Sequence, residues 1–367
     1  MRAADSGPTD RMKVAECAAL HWDGGQLVWD GYLRQQQFAL TPTSEAVLRF
    51  CAGWREPDEL AGHPDGDLLP LARHLLGAGV LVAEGSAEHA EEQRVLARWQ
   101  DWGPAARYLH FSARVPGGAR FLDLAADHER MVAKAGVVPP PEPVKTYLGT
   151  PLMPVPTGRP DDAKWPRAGF LDAAYGRRST RTFAPEPLPL ADLGAVLEVA
   201  GGFVDIQDDP ETGPSIFKTS PSAAARDPIE LYVHARDVAG LPAGIHHFSP
   251  ARCGLEMIGP AADPDRLAAA LGGQPWLAAA PALIIYTAVI ERVQWRYESR
   301  RAYRDVLIGM GHVSQTVLLT ATAMGLGAVT ATAVSDAELE ELLGCDPAAE
   351  PVLAVTALGL PALTVGR

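Results

Sequence analysis

The sequence predicts an α+β protein in which a small winged-helix-like module precedes a larger domain, a mixed sheet with flanking helices. Three observations predict it. Residues 20–38 are short, aromatic and turn-broken, and two capped apolar stretches follow them. Beyond residue 165, apolar β-rich runs recur without strict βαβ alternation, and one long stripe of apolar residues at intervals of three or four marks a helix buried on one face.

Taken in order, Asp23-Gly24-Gly25 between His21-Trp22 and Leu27-Val28-Trp29 reads as a hairpin turn. Thr43 or Ser44 offers an N-cap to Val47, Leu48, Phe50 and Cys51, and Asp67 does the same for Leu68, Leu71, Leu75 and Leu76, with Gly77 and Gly79 as the stop. Val80-Leu81-Val82 resumes as a strand. The DNA-reading helix of such a module would carry only Arg73 and His74 as basic candidates, so peptide or protein docking, or a purely structural role, is expected instead. A polar helix covers residues 88–99. Residues 101–164 read as an irregular, proline-rich connector, with Pro139-Pro140-Pro141-Glu142-Pro143 followed by Pro151, Pro154, Pro156 and Pro160. The expected division is therefore 1–100, 101–164 and 165–367.

In the last part Ile229, Leu231 and Val233 alternate with Glu230, Tyr232 and His234, and residues 282–290 and 352–358 suit buried strands. Val306, Met310, Val313, Val317, Ala321 and Met324 form the helical stripe, ended by Gly325 and Gly327. Residues 188–200 and 336–343 read as shorter helices.

At 367 residues and 47% apolar content the chain builds ample cores. Its net charge of -13 excludes the extended basic face that nucleic-acid binding needs. No uninterrupted apolar run reaches bilayer length and residues 1–10 are polar, so a cytoplasmic protein is expected, without membrane association. Cysteines 17, 51, 253 and 345 are scattered, which indicates neither a zinc site nor a disulfide scaffold.

Against that acidic background, Arg177-Arg178-Ser179-Thr180-Arg181-Thr182-Phe183 packs three guanidiniums and two hydroxyls into five residues. Such a segment is either a solvated basic turn or an anion site, since planar guanidiniums and hydroxyls suit phosphate oxygens. Five further segments follow in order: Lys218-Thr219-Ser220-Pro221-Ser222-Ala223-Ala224; Gly244-Ile245-His246-His247-Phe248; Arg296-Tyr297 leading into Arg300-Arg301-Ala302-Tyr303-Arg304; Gly311-His312-Val313-Ser314-Gln315; and Met324-Gly325-Leu326-Gly327-Ala328-Val329. This order, over residues 165–362, resembles the FMN-dependent nitroreductase superfamily, and within it the SagB/ThcOx-type dehydrogenases that oxidise azoline rings in modified peptides.

The resemblance implies a nitroreductase-like fold and an obligate homodimer with FMN at the subunit interface. Arg177, Arg178, Ser179 and Arg181 would grip the FMN phosphate and ribityl chain, Pro221-Ser222 would lie along the ring system, Thr332-Ala333 would place a backbone N–H near flavin N5, and Gln315 would contribute to the pocket. Family members commonly carry a Lys-Tyr pair as base, where this chain has Arg296-Tyr297. Arg stays protonated, so Tyr297 is the expected base, with Arg296 favouring its phenolate if the two face each other. The implied activity is oxidation of peptide-borne thiazolines or oxazolines to azoles, with a ribosomal precursor or carrier-bound peptide as substrate and a cyclodehydratase as partner. A NAD(P)H-dependent nitro or quinone reductase of the same fold is the alternative enzyme, and a non-catalytic flavin-binding scaffold the alternative of another class.

Other signals read as structural. Arg292, Arg296, Arg300 and Arg304 recur every fourth residue, as one stripe on a helix would. His246-His247 are strand neighbours that point to opposite faces and cannot share a metal ion, and no metal site is expected. Gly309-Met310-Gly311-His312 lies within the helical stripe, which rejects a dinucleotide fingerprint.

Overall fold

The structure is a computed structural model that describes residues 11–155 and 169–362. Two compact units divide between Ala119 and Arg120. The expected boundary near 165, along with Pro156 and Pro160, lies outside the described residues, as do residues 1–10.

In the first unit Gly24 and Gly25 both adopt positive φ, 53° and 80°, which closes the tight turn between Ala18–Asp23 and Gln26–Gly31. Gln36–Ala39 pairs on the other side to give a three-stranded antiparallel sheet. The helix Pro42–Phe50 starts two or three residues earlier than expected: Thr41 is its N-cap, because Pro42 suits the first helical position and Ser44 then completes a reciprocal capping pair with Thr41. Asp67 accepts a hydrogen bond from the Leu69 amide at the start of Leu69–Gly77, and Gly79 turns the chain at φ 75° into Leu81–Ala83, which pairs with Met12–Val14. Val47, Leu60, Ala72, Leu75 and Val80 form the buried core.

The 101–164 stretch is not irregular throughout. It contains the helices Gly103–Ser112 and Leu124–Ala135, the latter capped by Asp123, and the strand Leu152–Pro154. Neither helix shows an apolar stripe, since the first buries no residue and the second only Met131.

The second unit is built on seven strands in the order Gly327–Ala331, Val352–Gly359, Ala282–Ala288, Ile229–Ala235, Gly244–Ser249, Gly254–Pro260, Leu152–Pro154. A mixed sheet was expected, but every pairing in it is antiparallel; among the described residues parallel pairing is confined to Val238–Ala239 with Leu188–Pro189 and to a Ser179–Ala328 bridge. Helix Leu190–Gly201 and the long helix Ala302–Ala323 cover one face around Leu231, Val233 and Ile284. Helices Pro264–Ala270, Pro275–Ala278 and Asp336–Leu343 cover the other around Tyr232, Leu283 and Val355. By length and composition Ala302–Ala323 would cross a bilayer; here Val306, Val313, Val317 and Ala321 bury it against the sheet.

Covering both faces also buries the polar positions of Ile229–Ala235. His247 answers this by lying between two carboxylates, Nδ1 at 2.8 Å from Glu256 and Nε2 at 3.0 Å from Glu230. Ionised carboxylates only accept, so this geometry calls for hydrogen on both ring nitrogens. Arg292 at 2.7 Å from Glu230 and Arg252 at 2.7 Å from Glu256 complete the network. His246, on the same strand, turns instead to the Pro242 carbonyl, in keeping with strand neighbours on opposite faces.

Candidate functional site

The 177–181 turn follows helix Phe170–Gly176 and is carried on the sheet edge by main chain: the Thr180 amide donates to the Ala328 carbonyl at 3.1 Å, and Ser179 bridges to Ala328. Gly327 permits this close approach, because a Cβ there would meet Thr180 Cγ2 at 2.6 Å. Among the described residues none of Arg177, Arg178 and Arg181 forms an ion pair. Arg178 donates to the carbonyls of Tyr175 and Arg177, and the Arg181 guanidinium lies 5.5 Å from the Trp276 ring centroid. Arg178, Ser179 and Arg181 are exposed and Arg177 half-buried.

The edge strand Gly327–Ala331 leads directly into Thr332 and Ala333, both exposed. Gln274, two residues before Trp276, donates to the Ala333 carbonyl at 2.5 Å. The Arg181 side and the 332–333 loop therefore share one neighbourhood.

A second cluster sits on the long helix. His312 Nδ1 lies 3.0 Å from the Pro221 carbonyl and must donate to it, and the hydroxyls of Ser220 and Thr316 meet at 2.6 Å. Ser222 accepts from the Asp227 amide at 3.2 Å. Ala224 and Ala225, next along the chain, hold φ of 50° and 53°, a left-handed conformation that costs alanine on the order of 1 kcal/mol per residue. Gln315 is exposed one turn from His312. The helix joins the clusters, since Thr322 faces Gly176 and Thr316 faces Ser220, about 9 Å apart along its axis.

Arg296 and Tyr297 close the helix Ile290–Arg296, with Tyr297 extended at φ -132°. This break corrects the single basic stripe: Arg292 is buried and bonded to Glu230 and to the carbonyls of Glu142 and Asp227, while Arg304 belongs to the next helix. Arg296 makes a two-pronged ion pair with Asp127, a residue the sequence reading did not single out, and its guanidinium stacks 4.7 Å from the Tyr297 ring centroid. Hydrogen bonds from Arg296, and then from Arg130, hold the Asp127 carboxyl below the usual carboxylate range. Arg296 thus faces the ring of Tyr297 rather than its hydroxyl, and its charge is matched. The half-buried Tyr297 donates its amide to the Val293 carbonyl at 2.8 Å, while its hydroxyl makes no hydrogen bond among the described residues and none links it to either cluster above.

The profile of the nitroreductase family matches residues 174–359, half of the chain. The chain belongs to the nitroreductase family. Its members are typically FMN-dependent oxidoreductases. The protein MJ1384 of Methanocaldococcus jannaschii, named as a nitroreductase, is 38% identical over 172 residues, 47% of this chain and 82% of that protein. The trifolitoxin-processing protein TfxB of Rhizobium leguminosarum bv. trifolii is 30% identical over 173 residues, 46% of each chain. A nitroreductase-like structure from Anabaena variabilis superposes with a TM-score of 0.52 at 21% identity, covering 71% of this chain and 48% of that one. This nitroreductase thus spans about half the length of TfxB and of the Anabaena protein, and its first unit precedes the family domain.

Proposed function

We propose that this nitroreductase is an FMN-dependent dehydrogenase of the SagB/ThcOx type that oxidises peptide-borne thiazoline or oxazoline rings to thiazoles or oxazoles. The observation that carries the reading is the 177–181 turn, where three guanidiniums without carboxylate partners sit on the strand that leads into Thr332–Ala333. Cations with no ion-pair partner among the described residues fit a phosphate, and Arg177, Arg178, Ser179 and Arg181 would hold it. Pro221, Ser222, Gln315, Thr332 and Ala333 would line the ring system. The similarity to TfxB supports the peptide-modifying branch.

Azoline oxidation removes a proton and a hydride from adjacent ring carbons, and FMN when bound supplies the hydride acceptor. Tyr297 Oη, as the phenolate, takes the proton and becomes the neutral phenol. Arg296 cannot, and instead holds the Tyr297 ring in place while anchored by Asp127. Phe170, Leu171 and Tyr175, exposed at 73%, 63% and 79%, together with Tyr303, Leu307 and Ile308 on the long helix, offer an apolar face to a second copy of the chain, which would complete the site as a homodimer. The first unit docks the precursor or carrier-bound peptide, or a cyclodehydratase that delivers it.

The test is anaerobic mixing with an azoline peptide. The reading expects flavin bleaching and azole formation, with Tyr297→Phe slowing both by about a hundredfold or more while retaining flavin; unchanged rates in that variant would remove Tyr297 from the mechanism. The 38% identity to MJ1384 favours a second reading, a NAD(P)H-dependent nitro or quinone reductase. Fast NADPH oxidation with a nitroaromatic and no response to the azoline would select it.

A further inference from the structure

The first unit contains a pocket of about 190 Å³, between helix Ala87–Arg98 and the Gln26–Gly31 strand, lined among others by Trp29, Arg34, Glu88, Glu91 and Glu92. That volume suits one long side chain rather than a drug-sized molecule. Glu91 and Glu92 lie three and four residues after Glu88, so each neighbours Glu88 on the helix surface, where like charges repel. Arg34 meets Glu88 at 3.3 Å, both partners well exposed, and its side chain lies across Gly79. One guanidinium, paired with Glu88 alone, thus lines a pocket that also holds Glu91 and Glu92.

Glu92 is the telling member. It is 2% exposed, and its Oε1 accepts from the Cys17 amide at 2.8 Å, while Oε2 has no hydrogen-bond partner among the described residues. Burial raises its pKa, the response of a carboxylate whose counter-charge is missing. Lys13 is near enough to act on it, yet its ammonium goes to Glu16 at 3.1 Å. Trp29 lines the same pocket and gives the occupant an aromatic face. A buried carboxylate oxygen left open beside a cavity is costly unless a donor fills it.

We propose that this pocket receives the cationic side chain, guanidinium or ammonium, of an arginine or lysine in a peptide docked on the first unit. The cation displaces Arg34, donates to Glu92 Oε2 and lies against the Trp29 ring. The proposal rests on the reading of this unit as a peptide-docking module, but it concerns binding alone, so its outcome is independent of azoline oxidation.

The full-length protein is titrated with N-acetyl-arginine amide while the Trp29 indole ¹H–¹⁵N resonance, assigned with Trp29→Phe, is followed. A saturable shift is expected, with the neutral citrulline analogue binding about tenfold or more weakly. Glu92→Gln keeps an acceptor for the Cys17 amide and should lower arginine affinity by the same factor at unchanged melting temperature; Glu91→Gln, on the exposed rim, should lower it less and serves if Glu92→Gln misfolds. Equal binding of arginine and citrulline probes, arginine affinity unchanged by both variants, or no saturable shift would overturn the proposal.

Discussion

Lowering the pH should unfasten the sheet at Glu230 before the rest of the core gives way. Burial pushes the Glu230 pKa up, but the hydrogen bond from His247 and the charge of Arg292 overcome that and hold it at about 2, against an ordinary 4.5. At about 1.4 kcal/mol per pH unit, the difference is worth about 3 kcal/mol of folding stability. Because the folded-state value is the depressed one, this contribution is complete above 4.5 and is lost as pH falls toward 2; about 2 kcal/mol of it is gone by pH 3. The assay is urea unfolding followed by circular dichroism at steps from pH 5.5 to 3, in the parent and in Glu230→Gln. The variant starts less stable, since it leaves His247 and Arg292 unmatched, but over that interval it should lose about 2 kcal/mol less than the parent. Parallel pH dependences in the two proteins would refute the account of Glu230 as an ionised partner of His247.

Three further outcomes are expected. Arg181→Ala should weaken FMN retention about tenfold to a hundredfold, as loss of one hydrogen bond to a charged group would, measured by ultrafiltration of flavin from the purified protein. Asp127→Asn should leave flavin content intact but lower kcat for azoline oxidation, with Asp127→Glu restoring part of it; an unchanged kcat would mean that the Arg296 anchor has no part in the reaction. Gly327→Ala should cost flavin binding as well as stability, because its methyl group would drive Thr180 off the edge strand, and a variant with normal flavin content would show that the turn finds another seat.

Much of this architecture was legible from local patterns. The Gly24-Gly25 turn, the 229–235, 282–288 and 352–359 strands and the long helix announce themselves because their periodicity reports which face is buried. The 177–181 cluster stood out because charge of one sign was concentrated in a chain of the other. Helix Leu124–Ala135 was missed because charge rather than an apolar stripe secures it: Asp127 meets Arg296 169 residues away, and Lys134 meets Glu298 at 2.7 Å. The four-residue spacing of Arg292, Arg296, Arg300 and Arg304 misled because it assumes an unbroken helix, and the extended backbone at Tyr297 ends that helix. Glu92 shows no anomaly in sequence, since its open carboxylate oxygen exists only once the first unit has folded around it.

Amide and carbonyl groups attach the 177–181 turn to the edge strand, and the Arg178 side chain adds bonds to the Tyr175 and Arg177 carbonyls. On the proposed reading, substitution at 177 or 181 would retune the grip on the phosphate without cutting that attachment, so relatives with weaker or stronger retention of FMN would be reachable by single codon changes while the scaffold stays as it is.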